Sequence, residues 1–168
     1  ELLEEQAKTA KMLILSNPHN PVGRCWSREE LERLGDICMR NNVLVFSDEI
    51  HCDLVLPGFR HTPFASVRAD FAERCITAHA ASKTFNIAGL ATSSVIIPNG
   101  EMRARFEGYV HSLEVDLGNI FGKIATKAAM EKGGEWLEQL LCYLKGNIDY
   151  AVEYLRAEMP KVRVHNPQ

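Results

Sequence analysis

MLILSNPHNPVGRCWSREELERLGDICMRNNVLVFSDE, running from Met12 to Glu49, decides the fold. It opens on the apolar run Met12 to Leu15 and closes on a second, Val43 to Phe46. The second run does not alternate with polar residues, which predicts a strand buried on both faces. Between the runs, Ser27 and Glu30 form a capping-box pattern, and Leu31, Leu34, Ile37 and Cys38 follow on one face at helical spacing. Asn41-Asn42 ends that helix. Strand, helix and strand in this order predict a crossover between parallel strands.

The same rhythm extends outward. Leu2 to Ala10 reads as a short helical stretch, Asp48 to Leu56 as a short helix, Pro57-Gly58 as a turn and Phe64 to Glu73 as another short helix. Cys75–Ala78 reads as the third strand and Ser94–Ile97 as the fourth, closed by Pro98-Asn99-Gly100. This predicts an α/β fold: a mainly parallel sheet with flanking helices in three layers, α/β/α. The second half changes character. Helices are expected over Glu101 to Ser112, Gly118 to Lys132 and, after Gly133-Gly134, Glu135 to Glu158. In the last of these, Leu137, Leu140, Leu141, Leu144, Ile148, Val152 and Leu155 keep helical spacing. Pro160 ends it, and Val162-Arg163-Val164 is expected to open a strand of another domain.

The 168 residues suffice for one domain with a core, burying about 70% of the unfolded surface. A net charge of -3 excludes a strongly basic nucleic-acid or anionic-membrane binder, and no apolar run approaches the length of a membrane span. The five cysteines are odd in number and form no CxxC pair, which fits a reducing, cytoplasmic setting better than a disulfide framework or a zinc site. His19, His61, His79, His111 and His165 show no metal-ligand spacing. Neither GxGxxG nor GxxxxGK[ST] occurs, which disfavours dinucleotide and nucleoside triphosphate sites. The start at Glu1 and the end at Gln168 suggest a piece of a longer protein.

In open α/β sheets, ligands bind beyond the carboxyl ends of the strands. Asn20, Asp48 and Lys83 each follow a predicted strand, so an amide, an acid and a lysine are presented together. That is the set a pyridoxal 5'-phosphate site requires: a lysine for the aldehyde, an acid for the pyridine nitrogen and a donor for the ring oxygen. Each residue also has an ordinary reading. A lysine after a strand is usually solvated, an acid there often caps a helix, and Asn-Pro commonly opens a turn. His51 shares a helical face with Asp48 and is either a second donor to the ring oxygen or a packed histidine. Ser82 is either a phosphate contact or a turn serine.

Asn17-Pro18-His19-Asn20-Pro21-Val22-Gly23, Ser47-Asp48-Glu49-Ile50-His51 and Ser82-Lys83-Thr84-Phe85-Asn86-Ile87-Ala88-Gly89-Leu90 resemble the fold-type I pyridoxal-phosphate enzymes, class I/II aminotransferases. Within them the chain resembles the cystathionine β-lyase-like (C–S lyase) branch, as does Gly133 to Asn147. The resemblance implies that Lys83 is the catalytic lysine joined to the cofactor and that Asp48 pairs with the pyridine nitrogen. It places Asn20 and His51 at the ring oxygen and Ser82 near the phosphate. Where many aminotransferases carry a phosphate-binding arginine, this chain has Ala91, and Ala80 stands where many carry serine; the missing arginine agrees with the lyase branch. The resemblance further implies that residues 1–160 are part of the cofactor-binding large domain and that 161–168 begin the small domain. It implies a homodimer acting on a small amino-acid substrate by α,β-elimination of cystathionine-type compounds to pyruvate, ammonia and a thiol. The alternatives are transamination and a non-catalytic α/β binding module, and the 168 residues alone are expected to be inactive.

Overall fold

The computed structural model describes residues 1–115 and 117–168. A four-stranded sheet, in the order β1-β2-β3-β4, is built from β1 (Met12–Ser16), β2 (Leu44–Asp48), β3 (Cys75–His79) and β4 (Ser94–Ile96). The first three are parallel and β4 runs antiparallel at the edge. The helices are α1 (Leu2–Ala7), α2 (Arg28–Arg40), α3 (Ala69–Ala72), α4 (Ala81–Thr84), α5 (Gly100–Ser112), α6 (Ile120–Lys132) and α7 (Gly134–Glu158). The fold is α/β, with a mostly parallel sheet and flanking helices.

The crossover between β1 and β2 forms as its sequence predicts. The Ser27 side chain accepts from the Glu30 N–H at 3.2 Å, and the Glu30 carboxylate accepts from the Ser27 N–H at 2.8 Å, closing the capping box. Leu31, Leu34 and Cys38 then face the sheet and are buried with Leu15, Val45 and Cys75. Phe64 and Phe71 complete this core with stacked rings, centroids 5.3 Å apart. Gly35 lets α2 approach that stack, since a Cβ there would lie 2.2 Å from Phe71 Cε2.

Several elements differ from the sequence expectation. β2 alternates between buried and half-buried residues instead of being buried on both faces. The core lies against Leu15, Val45 and Cys75, while Met12 and Ile14 on the opposite face of β1 stay exposed, Ile14 at 72%. That second face is apolar yet uncovered among the described residues. Beyond β2, residues 50–53 form turns rather than a helix: the Cys52 N–H donates to the Glu49 carbonyl and the Leu54 N–H to the His51 carbonyl, bonds three residues apart that no four-residue helical bond continues. Phe64 to Glu73 divides into a 3-10 turn at Phe64–Ser66 and the short α3, with the N-cap Arg68 in extended backbone between them. Val162-Arg163-Val164 has no strand partner among the described residues and is irregular.

The last three helices bury little. α5 has no buried residue, α6 only Gly122 and α7 only Val152. Leu137, Leu140, Leu141, Leu144, Ile148 and Leu155 of α7 are half-buried, whereas Trp136, Tyr143, Tyr150 and Tyr154 on the adjoining side of that helix, and Phe121 of α6, are exposed. α6 nevertheless packs against both α4 and α7, which ties the second half to the strand ends.

Gly35→Ala tests the approach of α2 to the aromatic pair. The added methyl forces Phe71 to move, and a loss of about 1–3 kcal/mol is expected from overpacking, read as a lower urea midpoint with an unchanged m-value.

Candidate functional site

The parallel ladder brings three strand ends to one level. Ser16 is in register with Asp48, and Asp48 with Ala78. The pairing continues past them: the Asn17 N–H donates to the Asp48 carbonyl at 3.0 Å, and the Glu49 N–H to the Ala78 carbonyl at 2.9 Å.

Successive residues at the end of β2 point to opposite sides of the sheet. Ser47 and Glu49 turn into the protein and Asp48 turns the other way. Glu49 is only 3% exposed. A carboxyl group so deep needs partners, and it has three. Ser47 Oγ donates to Oε1 at 2.8 Å, the Phe64 N–H donates to Oε1 at 3.0 Å, and His61 Nε2 pairs with Oε2 at 2.8 Å. The buried Asn17 reinforces the same contact through Nδ2, which donates to the Thr62 carbonyl at 2.9 Å. Segment 61–64 is thereby fixed beneath the strand ends.

Asp48 is half-buried, and beyond the bond from Ile50 its carboxylate has no partner among the described residues. The turns that follow carry His51 to a cavity of about 140 Å³, which it lines together with Asn20, Gly23, Leu54 and Gln168. Asn20 reaches that cavity from a tight loop in which His19 N–H donates to the Arg24 carbonyl at 2.8 Å and Gly23 N–H to the His19 carbonyl at 2.7 Å. Gly23 has φ +68°, the left-handed region that favours glycine. His19 Nδ1 is buried without a partner.

Lys83 stands on α4, a single turn directly beyond β3. It is exposed, with no ion-pair or hydrogen-bond partner for its side chain among the described residues, and Ser82 beside it leaves its hydroxyl equally unused. The structure thus brings Asn20 and His51 to one cavity, with Asp48 at the root of the same turn. Lys83 and Ser82 sit at the neighbouring strand end, without a direct side-chain contact to Asp48 or Asn20. Behind α4, Phe85 packs on Trp136 with ring centroids 5.7 Å apart, and Gly133 allows it: a Cβ there would come within 2.3 Å of Phe85 Cε1.

Other side chains at the site have no signature of their own in the sequence. Asp53 Oδ2 accepts from Thr84 Oγ1 at 3.1 Å and lies 3.5 Å from His79 Nε2. The bond from His79 holds the Asp53 carboxyl below the usual range, and Asp53 raises the His79 imidazole. Cys52 Sγ lies 3.7 Å from Asp53 Oδ1, and burial, aided by the nearby Asp53 and Glu49, pushes its thiol up to about 12. Cys52, Asp53 and His79 form a cluster that sequence spacing does not reveal. Glu49 alone carried a signal: of two successive acids at the end of a strand, one faces each side of the sheet, and the one turned inward needs partners.

The sequence model of the family described as aminotransferase class I and II matches residues 1–168. The chain belongs to that family. Among curated relatives of this aminotransferase-family chain, cystathionine beta-lyase PatB of Bacillus subtilis is 48% identical over 156 residues, covering 93% of this chain and 40% of the relative. Protein MalY of Escherichia coli is 36% identical over 163 residues, covering 94% and 40%. The chain therefore spans about 40% of the length of these relatives. Among solved structures, cystalysin of Treponema denticola, which contains a pyridoxal 5'-phosphate cofactor, superposes with a TM-score of 0.93 at 34% identity, over 99% of this chain and 43% of that one. The PLP-bound C-S lyase of Staphylococcus hominis superposes with a TM-score of 0.90 at 39% identity, over 98% and 41%.

The Asp53–His79 pair makes a prediction about pH. His79, raised from its ordinary 6.5, contributes stability that is fully present below that value and is lost as pH rises through the raised one. Asp53, lowered from 3.8, contributes stability present above that value and lost as pH falls through the lowered one. Comparing denaturant unfolding of wild type and His79→Gln, a deficit of about 0.5–1 kcal/mol is expected near pH 5–6, shrinking on the alkaline side. A deficit that grows with pH contradicts the pairing.

Proposed function

We propose that this chain carries the cofactor-binding part of a pyridoxal-phosphate-dependent C–S β-lyase, which converts cystathionine-type amino acids to pyruvate, ammonia and a thiol. One observation carries the reading. A carboxylate with spare acceptor capacity (Asp48), two polar side chains on a shared cavity (Asn20 and His51) and a lysine without a side-chain partner (Lys83) stand at adjacent parallel strand ends. The donor set fits the group, since it offers an amine for the aldehyde, an acid for the ring nitrogen, hydrogen-bond donors for the ring oxygen and the Ser82 hydroxyl for the phosphate.

When bound, pyridoxal phosphate supplies an aldehyde that joins amines and a ring that withdraws electrons from the attached carbon. The residues of this chain do the rest. Asp48 holds the proton on the ring nitrogen, Asn20 and His51 fix the ring's orientation through its oxygen, and Lys83 Nζ takes the proton from the substrate's Cα. The electron pair left at Cα becomes the Cα–Cβ double bond as the Cβ–S bond breaks; the sulfur leaves as a thiolate that takes back the proton held by Lys83, and water hydrolyses the released enamine to pyruvate and ammonia.

Elimination is favoured over transamination by Ala91, which stands where an aminotransferase arginine would bind phosphate, and by the lyase names of several relatives. The proposal extends to the domain division, with residues 1–160 in the large domain and 161–168 opening the small one. It includes a homodimer, supported by the exposed apolar faces of α6 and α7, and a cytoplasmic setting, supported by five free cysteines. No helix among the described residues is long and apolar enough to cross a membrane.

The full-length protein incubated with cystathionine is expected to release pyruvate without an added keto acid. Strict dependence on a keto acid would instead establish transamination. Asp48→Asn is expected to fold normally and to lower kcat by about 100-fold or more, since it removes the charge that stabilises the reacting state.

A further inference from the structure

We infer that Asp53 is a positioning residue for Lys83, acting as a clamp on both ends of the connection that carries it; this rests on the assignment of Lys83 proposed above. α4 has only four residues, and no side chain caps its N-terminus at Ala80. A single turn of helix does not hold itself together in water. Its order must come from outside.

Packing of α6 against α4 and of Phe85 on Trp136 supplies part of that order, and two polar contacts add to it, both ending on one carboxyl group. His79 closes β3, before Lys83, and lies 3.5 Å from Asp53 Oδ2. Thr84 follows Lys83, is only 1% exposed and donates its hydroxyl to the same Oδ2 at 3.1 Å. Residues 80–83 are therefore slung between two side chains gripped by a single oxygen. Asp53 itself belongs to the turns that leave Asp48. The segment is fixed by the Cys52 N–H donating to the Glu49 carbonyl and the Leu54 N–H to the His51 carbonyl, each at 3.0 Å. One carboxyl group thus couples the turn bearing Asp48 and His51 to the turn bearing Lys83, although no direct contact joins Lys83 to Asp48.

The arrangement also explains the chemistry of the residues chosen. A hydroxyl on the residue after Lys83 is needed as donor, so valine, of nearly the same shape, cannot replace it. The acceptor needs an oxygen at Asp53 but not the full charge, so asparagine can serve Thr84 through its amide oxygen. A misplacement of about 1 Å in a reacting group can cost about 100-fold in rate, so a clamp on a one-turn helix has a large effect without touching substrate.

The test compares Asp53→Ala, Asp53→Asn, Thr84→Val and Thr84→Ser in the full-length protein. Three readouts are taken: the rate of borohydride trapping of pyridoxal phosphate on Lys83, hydrogen exchange of amides 80–85, and kcat against KM with cystathionine. Asp53→Ala and Thr84→Val are expected to speed exchange in that segment, slow trapping by about 10-fold or more and lower kcat by about 10–100-fold, with KM within about threefold. Asp53→Asn and Thr84→Ser are expected to stay within about threefold of wild type on every readout. Should Asp53→Ala fail to fold, the Thr84 pair reads the same bond. Wild-type trapping and kcat in Thr84→Val, or Thr84→Ser no better than Thr84→Val, overturns the clamp while leaving the function standing. Absence of trapping on Lys83 in wild type overturns both.

Discussion

The buried carboxyl group of Glu49 is the constraint on which the site depends. In a strand, a residue and its successor face opposite sides, so whatever fixes Glu49 inward fixes Asp48 outward. Glu49 is held by Ser47, His61 and the Phe64 backbone at hydrogen-bond distance. Turning Glu49 out of this pocket would forfeit all three bonds and leave the buried Phe64 N–H without its partner, a cost that makes the alternative register unfavourable. The acid that faces the ligand side is therefore oriented from behind, by an acid that never reaches it. The same contacts draw segment 61–64 under the sheet and bring Phe64 onto Phe71, so site geometry and core packing rest on one set of bonds.

From that point the structure reads outward along the strand ends. Parallel pairing sets Ser16, Asp48 and Ala78 level, which puts the loop bearing Asn20, the turn bearing His51 and the helix bearing Lys83 side by side. The loops supply the chemistry and the sheet supplies their spacing, as is general for open α/β folds. Loops this short are poorly held by their own hydrogen bonds. Each one is anchored at depth by a polar side chain: Asn17 to Thr62, Glu49 to His61, Asp53 to Thr84.

Much of this was legible in the residues, and the rest was hidden for identifiable reasons. The capping box at Ser27 and Glu30, the periodicity of α2 and the positions of Asn20, Asp48 and Lys83 after strands are local patterns, and local patterns survive folding. The turns over 50–53 are hidden because residue type alone does not show that the backbone bonds there close over three residues and stop. The open face of β1 and the exposed aromatic side of α7 are hidden because an apolar pattern reports a tendency to be buried, not what is present to cover it, and these residues are uncovered in the structure. Asp53, Thr84 and His79 were invisible because each is ordinary alone and acquires meaning only when two strand ends meet.

The central claim is that Lys83 is the lysine joined to the cofactor. Borohydride reduction of the full-length protein in the presence of pyridoxal phosphate, followed by proteolysis and mass mapping, tests it most directly. The account predicts one stoichiometric phosphopyridoxyl adduct, on the peptide containing Ala81-Ser82-Lys83-Thr84, absent from Lys83→Ala. An adduct on another lysine, or the same labelling in Lys83→Ala, would contradict it.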